Sequence, residues 1–555
     1  MILCNRDYAR KEERKIKKLL CLTLAAVFAF CLFMPALASE PGTKFYVDAE
    51  NGDDSNDGLS EETAWKTVDS LTNVEGVGPG DSLLFKRGGE YNVSMTLSNC
   101  SGSEEYPIVI SSYGEGDLPV LKTDAHTEVF RLFDCSYITV ENLEITAHNG
   151  GGIWIDTYNG ASEGITLSGL VMHDMQNFTV NDRDNLSAGA AAARACVMVK
   201  GIPTHSRYPV NDLTIKDCEM YDTGNGVSVW GSWNEEQINF EDEEYVDPVY
   251  NKGLLIENCC FHDMDAEATV IGMCDGALIT HCRMIDCCQG VGTDEKGEIR
   301  YFTAAAWFWG SENSTFEYCE IAGQKNYGDG MTVDFDSHTN NCTYQYIYSH
   351  DNMRFIVGNA KNDYGQHNNT VRYCLSVNDN KGRNQMASSH GEYNFKFYNN
   401  TIVNSRRIDM KYLYDSEIYN NVFILTDGYR INLDGVKKSD NCVIENNCFC
   451  GGYIPSKLLR NNFNAVPGFA GEDFASADSF KLASNSPLIG AGMATDDGLA
   501  YDFFGNEFVS DNIGCYRAAG ENTEAELEKP IERFFRIIFD FFKFLKQEIA
   551  DFELF

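Results

Sequence analysis

Positive charge is scarce in this chain: 44 Lys and Arg stand against 83 Asp and Glu, a formal net charge of −39 over 555 residues. A surface this acidic disfavours nucleic acid and anionic membrane as general partners. It disfavours polyanionic glycans as well, unless calcium or a local basic patch intervenes. Helical periodicity is missing from the long central repeat described below. Cysteine is not scarce, at 20 residues, but it lacks the even count and tight grouping of small disulfide-stapled domains, since 17 remain beyond residue 38.

The N-terminus reads as a secretory signal. A basic region holding Arg6, Arg10, Lys11, Arg14, Lys15, Lys17 and Lys18 runs into an apolar stretch from Leu19 to about Met34. Ala36-Leu37-Ala38 then supplies a small-x-small cleavage pattern. An uncleaved anchor is the alternative, because the apolar run approaches bilayer-spanning length. Cleavage near Ala38 predicts a secreted or cell-surface protein. It also removes seven positive and three negative charges, which takes the net charge to −43. The remaining length exceeds what one compact core usually holds, so several domains or an elongated repeat is expected.

From residue 138 a short pattern recurs: "ITVENLEI" at 138, "LTIKDCEM" at 213, "LLIENCCF" at 254, "STFEYCEI" at 314, "FKFYNNTI" at 395 and "CVIENNCF" at 442 are six of eleven copies. Their third residues are Val140, Leu167, Ile215, Ile256, Ile279, Phe316, Tyr344, Val371, Phe397, Ile418 and Ile444. The spacing settles in the twenties, with insertions in the early copies. A strand-rich repeat of this length predicts an all-β solenoid in which coils stack on one another. Each copy reads as one strand, with a second strand following in the coil.

Stacking turns columns of sequence into rows of structure. Cys218, Cys259, Cys282, Cys319 and Cys374, followed by Asn400, Asn421 and Asn447, are expected to form an inward ladder of packed thiols and then of hydrogen-bonded amides. Disulfides and metal ligation are the competing readings of the thiols. The pairs His173-Asp174, His262-Asp263 and His350-Asp351 read more economically as turn chemistry than as catalytic dyads, with His350 kept as a substrate-binding candidate. A further column, the second strand of each coil, includes "GVSVWGSW" at 226, "AAWFWGSE" at 305 and "GMTVDFD" at 330. Its outward positions include Trp230, Trp309, Asp334, Asp336, Asp409 and Lys411.

Tryptophan beside carboxylate is what a sugar cleft requires, because pyranose rings stack on indole while their hydroxyls need fixed polar partners. Cover by the insertions around 180–210 and 234–250 is the bland alternative for Trp230 and Trp309. In "YGDGMTVDFDSHTNN" (residues 327–341), Met331, Val333 and Phe335 alternate with Thr332, Asp334 and Asp336, so one face is expected to be apolar and the other acidic. Asp334 and Asp336 then lie about 6.5 to 7 Å apart, at the lower edge of the separation used by inverting glycosidases. A carboxylate on an adjacent coil, about 4.8 Å away, would approach the retaining geometry. Calcium is the other use of the same groups, with Asp329, Asp334 and Asp336 as oxygen ligands. Residues 372–411 are locally basic, with Arg372, Lys381, Arg383, Lys396, Arg406, Arg407 and Lys411 against Asp379, Glu392 and Asp409. Such a stretch suits an anionic or polar substituent, oriented by Arg383, Arg407 and Lys411, or it merely offsets the surrounding acid. "DAENGDDSNDG" lacks the ligand spacing of an EF-hand and reads as a turn.

"FYVDAENGDDSNDGLSEETAWKTVDSLTN", "GPGDSLLFKRGGEY", "DGMTVDFDS" and "SPLIGAGMATDDG" with "DNIGCYR" resemble segments of the right-handed parallel β-helix family, the pectate-lyase-like group of secreted polysaccharide lyases and glycoside hydrolases. The resemblance spans roughly residues 44 to 515. It implies an N-terminal cap and first coils over 39–125 with a capping helix starting near Ser60, coils over 126–465, and a closing segment over 466–520. It also implies a carbohydrate substrate. In the lyases calcium neutralises a uronate and a basic side chain takes the C5 proton, which makes Lys411 the base under that reading. The pectate-lyase pattern has a lysine in a glycine-rich strand where this chain has "DGMTVDFD", and the departure favours hydrolysis with Asp334 and Asp336 as acid/base or nucleophile. A non-catalytic glycan-binding or surface protein is the reading from outside enzymology. After a linker, residues 531–555 carry a polar stripe, Glu532, Arg536, Asp540, Lys543, Gln547 and Asp551, expected for an amphipathic helix that docks on the β-helix or self-associates. Partner binding or membrane-surface contact is its alternative.

Overall fold

The computed structural model describes residues 42–69, 76–123, 127–148, 150–175, 194–199, 208–231, 249–290, 303–325, 330–359, 366–385, 391–426, 428–433, 441–471, 474 and 476–519. The signal segment and the C-terminal amphipathic stretch lie outside them. No helix among the described residues is long and apolar enough to cross a membrane.

Three parallel sheets run through the unit that begins at Lys44. Among the described residues the first has 14 strands, from Lys44–Val47 to Val443–Glu445; the second has 14, from Glu90–Asn92 to Phe463–Asn464; the third has 12, from Met95–Ser98 to Ile431–Asn432. The chain visits them in turn: Ile138–Glu141, Glu144–Ala147 and Ile153–Asp156 make one coil, and Thr166–Ser168 begins the next beside Ile138–Glu141. Crossovers between parallel strands of one sheet wind to the right, and the result is a right-handed parallel β-helix.

The eleven aligned apolar residues form one lateral row, each the register partner of the next from Val140 to Ile444. The repeat unit differs from its sequence reading in one respect. Each copy is two strands, not one, so a coil has three. The break falls at a residue with left-handed backbone, such as Asn142 (φ 55°), Asp217 (φ 55°), Asn258 (φ 52°) and Asn399 (φ 51°). Asn and Asp tolerate that region better than other side chains, and there the chain turns from first sheet to second within two residues.

The inward ladder is present. Cys218, Cys259, Cys282, Cys319 and Cys374 are buried free thiols, and several donate to backbone carbonyls, as Cys282 does to Thr280 at 3.3 Å. None of the 17 cysteines among the described residues is joined in a disulfide. Below them, Oδ1 of Asn421 accepts from the Asn400 backbone at 2.9 Å, and Oδ1 of Asn447 accepts from the Asn421 backbone at 3.0 Å.

Two local expectations need correction. Ser60 does not start a helix: Thr63 N–H donates to Ser60 Oγ at 3.2 Å in a turn, and Trp65 then pairs with Val47. Extended pairing to the first strand wins over the helix-start signal; residues 70–75 lie outside the described set. The strand Met331–Asp336 also fails to alternate at its start. Val333 and Phe335 enter the main core, whereas Met331 joins a separate cluster with Ala304, Val357 and Trp307. Thr332 instead bonds the buried Ser349 hydroxyl at 2.6 Å.

Candidate functional site

Register partners in a parallel sheet present their side chains to the same face. On the outer face of the third sheet, Trp307 of Ala304–Trp309 pairs with Asp334 of Met331–Asp336, and Asp334 pairs with Val357 of Arg354–Asn359. Two residues further along the same strands, Trp230 and Trp309 both pair with Gly272, and Asp336 pairs with Asn359. The structure therefore brings Trp230, Trp309, Asp334 and Asp336 onto one face.

Gly272 is what lets the indoles meet. A Cβ at this position would come within 2.5 Å of the Trp230 ring. Without one, Trp230 and Trp309 close over the intervening strand to 5.8 Å between ring centroids, and Trp307 meets Trp230 edge-on at 6.0 Å. All three rings are part-buried. The Trp230 N–H donates to Ser228 Oγ at 3.1 Å, whereas the Trp307 N–H is buried without a hydrogen-bond partner. His338, at φ 63°, lies edge-on to Trp309 at 6.3 Å, and burial lowers its pKa.

Asp334 is 6% exposed. Its backbone carbonyl accepts from the buried Tyr344 hydroxyl at 2.6 Å, and the next carbonyl, of Phe335, accepts from Gln366 Nε2 at 2.6 Å. Core side chains thus fix the strand from within at both peptides. Asp336 is more open and accepts from the Ser337 N–H at 2.7 Å. The adjacent coils offer Trp307 and Val357 beside Asp334, so on this sheet the acids' carboxylate neighbours are each other.

The remaining candidates are more dispersed. Lys411 follows Arg407–Asp409, three coils from Asp334, or about 14 Å along the axis. Arg383 and Arg407 pair in register two and three coils away, and Arg407 Nε is held by the buried Asp409 carboxylate at 2.7 Å. His350 stands on the second sheet, apart from the tryptophans. Its Nδ1 meets Asp351 at 2.8 Å and its Nε2 meets Glu320 at 3.4 Å; burial pulls its pKa down, but the two carboxylates outweigh burial and raise it. His173 and His262 repeat the arrangement with Asp174 and Glu144 and with Asp263 and Glu219. The three aspartates have φ of 54°, 53° and 59°, which is the turn reading.

The basic stretch does not form one patch. Arg372 and Lys396 lie on the first sheet, Arg383 and Arg407 on the third, because one stretch of chain of this length circles the whole coil. Asp379 is inside, its carboxyl pushed up to about 6 by burial against the Ser349 and Ser376 hydroxyls and the Asn352 N–H. Asp329 lies outside the described residues, as do most of the insertions around 180–210 and 234–250 that are the alternative cover for the tryptophans. Calcium takes six to eight oxygen ligands, and among the described residues no group of three or more Asp, Glu, His or Cys is arranged for a metal. The described part of the acidic strand does not by itself make a calcium cage.

Trp307, His338 and Gln366 are functional candidates that the sequence reading passed over. The alternation that marks Trp309 as outward marks Trp307 as well. Gln366 and His338 carry no comparable periodic signal, since both follow third-sheet strands in the turn toward the first.

No family model matches the chain. It is similar to a lacto-N-biosidase of Bifidobacterium longum subsp. longum, with 25% identity over 478 residues that cover 70% of this chain and 29% of that relative. The chain thus spans under a third of the length of the curated relative it matches. Among solved structures it is similar to a GH136 lacto-N-biosidase from Eubacterium ramulus (20% identity, TM-score 0.49, covering 75% of this chain and 68% of that one). It is also similar to XylC in complex with xylose (10% identity, TM-score 0.49, covering 86% and 99%) and to the pectate lyase Pel9A (13% identity, TM-score 0.37, covering 86% and 96%).

Proposed function

We propose that this chain is an exported glycoside hydrolase that works along the outer face of its third sheet. Asp334 and Asp336 are its acid/base or nucleophile pair, and Trp230, Trp307 and Trp309 are its sugar platform. The observation that carries this reading is the register pairing of Trp307 with Asp334, which sets an indole corner directly beside two carboxylates. The 25% identity to a lacto-N-biosidase over 478 residues supports hydrolysis and makes lacto-N-biosides the first substrates to try. The carboxyl separation of about 6.5 to 7 Å lies nearer the inverting than the retaining range. Glycosidic cleavage needs one carboxyl to protonate the leaving oxygen while the other activates water or attacks the anomeric carbon.

Product analysis tests the proposal. A hydrolase releases a reducing sugar; an ultraviolet-absorbing unsaturated product whose formation stops on calcium chelation would instead mark a lyase, and binding without products a glycan-binding protein. Asp334→Asn is expected to reduce turnover by a factor of about 10² to 10⁴ while the circular dichroism spectrum stays that of the wild type. Wild-type turnover in Asp334→Asn removes the assignment.

A further inference from the structure

Beyond the third sheet the chain turns back toward the first through three short paired strands, Gln366–His367, Glu392–Tyr393 and Leu413–Tyr414. Gln366, Glu392 and Leu413 are register partners and all three are fully buried. His367, Tyr393 and Tyr414 stack on the opposite, outward side, with centroids 5.0 and 4.7 Å apart.

Within this row, three oxygens have no hydrogen-bond partner: Gln366 Oε1 and both carboxyl oxygens of Glu392. An unpaired carboxylate in an apolar interior is strongly disfavoured. A neutral carboxylic acid has one donor to offer, and Gln366 Oε1 is an acceptor that lacks one. Neighbouring coils are about 4.8 Å apart, within side-chain reach. Burial drives the Glu392 carboxyl well above its usual range, opposed by the Asn369 amide, whose Nδ2 donates one hydrogen to Thr339 O at 2.8 Å and whose Oδ1 accepts from the Cys342 N–H at 3.0 Å; its second hydrogen leaves one of the two Glu392 oxygens to act as a donor when protonated. The titratable groups of the flanking strands, His367, Tyr393 and Tyr414, are those of the outward stack.

We infer that Glu392 is held as a neutral carboxylic acid that donates to Gln366 Oε1, completing a chain from Glu392 through the Gln366 amide to the Phe335 carbonyl. That carbonyl lies between Asp334 and Asp336, so Glu392 is a positioning residue for the carboxylate strand, two coils away from it. Its protonation is independent of the proposed hydrolase reading; only its consequence for turnover rests on that reading.

The full chain is compared with Glu392→Gln, whose amide keeps the shape and a donor, and with Glu392→Leu, which removes the donor. The infrared spectrum of the wild type at neutral pH is expected to contain a protonated-carboxyl stretch that is absent from Glu392→Gln. The carboxyl ionises in the unfolded chain near pH 4.5. From there up to its titration in the folded chain, the folded state holds one proton more than the unfolded. The unfolding constant of the wild type should therefore rise tenfold per pH unit relative to Glu392→Gln. Parallel pH–stability curves, or the absence of that band, overturn the neutral acid whether or not the chain is an enzyme. For turnover, Glu392→Leu is expected to lower kcat at least about fivefold and Glu392→Gln to restore it. Wild-type kcat in the folded Leu variant overturns the positioning role.

Discussion

Trp307 combines two properties that a merely structural tryptophan rarely shows together. Its ring packs on Ala304, Met331 and Val357, yet its N–H is buried and unpaired beside an acidic register partner. Buried polar groups are normally satisfied, and under the proposed function a sugar oxygen seated in the indole corner would be the missing acceptor. Trp307→Phe keeps an apolar ring and removes the donor. Steady-state kinetics on a chromogenic lacto-N-bioside are expected to show roughly a tenfold loss in kcat/KM, about 1.4 kcal/mol, with the melting temperature almost unchanged. His350 makes a different kind of prediction. Its raised pKa and the lowered pKa values of Asp351 and Glu320 mean that the clamp stabilises the fold when the imidazole is charged and both carboxylates are ionised. The carboxylate contribution is present above about pH 4.5 and lost below it; the histidine contribution is fully present below about pH 6.5 and lost as pH rises through the raised value. Wild type minus His350→Gln stability should peak between these limits and vanish on the alkaline side. With Asp351 largely in solvent, the peak should stay under about 1 kcal/mol. Denaturant melts at several pH values check it.

The strand and its turn are the scale at which most of the fold was legible. Apolar alternation gave the register row from Val140 to Ile444 because each side chain in a coil lies directly over its counterpart, so a one-residue slip would turn every core residue outward. The same logic placed Trp230, Trp309, Asp334 and Asp336 on one face. What alternation could not reveal was the two-residue turn inside each copy, because Asn142 and its equivalents sit in a pattern that continues unbroken in sequence while the backbone changes sheet. The inward ladder yields the element-scale prediction. Asn421 accepts at Oδ1 from the Asn400 backbone and side-chain N–H groups and donates its amide hydrogens to Phe397 O and Asn447 Oδ1. Asn421→Leu leaves several buried groups unpaired and should lower stability by about 3 kcal/mol or more. The thiols above make only weak S–H donations, such as that of Cys282 to Thr280 O, so Cys282→Ala should lower it by only about 1 to 2 kcal/mol. Since the described cysteines are free thiols, a reductant should leave the melting temperature of the wild type where it was. Chemical denaturation of the two variants, with and without reductant, tests the contrast.

Across the described coils as a whole, the outer face of the second sheet changes character along the axis, and this decides where the closing segment goes. From Glu144 to His350 that face carries His–carboxylate clamps. From Leu375 through Val377, Val403 and Val422 to Cys448 it is apolar, and Phe469, Phe480, Leu482, Leu488 and Ile513 cover it. Linear charge density was a poor guide to such surfaces, as the basic stretch dispersed over two sheets demonstrates; only a property that repeats at the coil period becomes a patch. The closing segment is locked by Arg517, which is 4% exposed. Its guanidinium donates to Tyr373 OH at 3.0 Å and Thr495 Oγ1 at 2.6 Å, pairs with Asp511, and lies 4.2 Å over the Phe508 ring. Tyr346 and Tyr398 reach the same segment through Tyr501 O and Asp497. Arg517→Met keeps the aliphatic stem but removes the donor to Thr495 and the charge opposite the half-exposed Asp511, while Tyr373 keeps its bond to Asp497, and should destabilise by roughly 1 to 3 kcal/mol. Because stacked coils couple mainly to their neighbours, the loss should not spread evenly. Hydrogen exchange is expected to quicken in the coils bearing Tyr346, Tyr373 and Tyr398, next to the carboxylate strand, while the coils from Ile138 to Ile285 keep wild-type protection. Uniform quickening along the axis would mean that the coils unfold as one cooperative block and that the closing segment is not a local clamp.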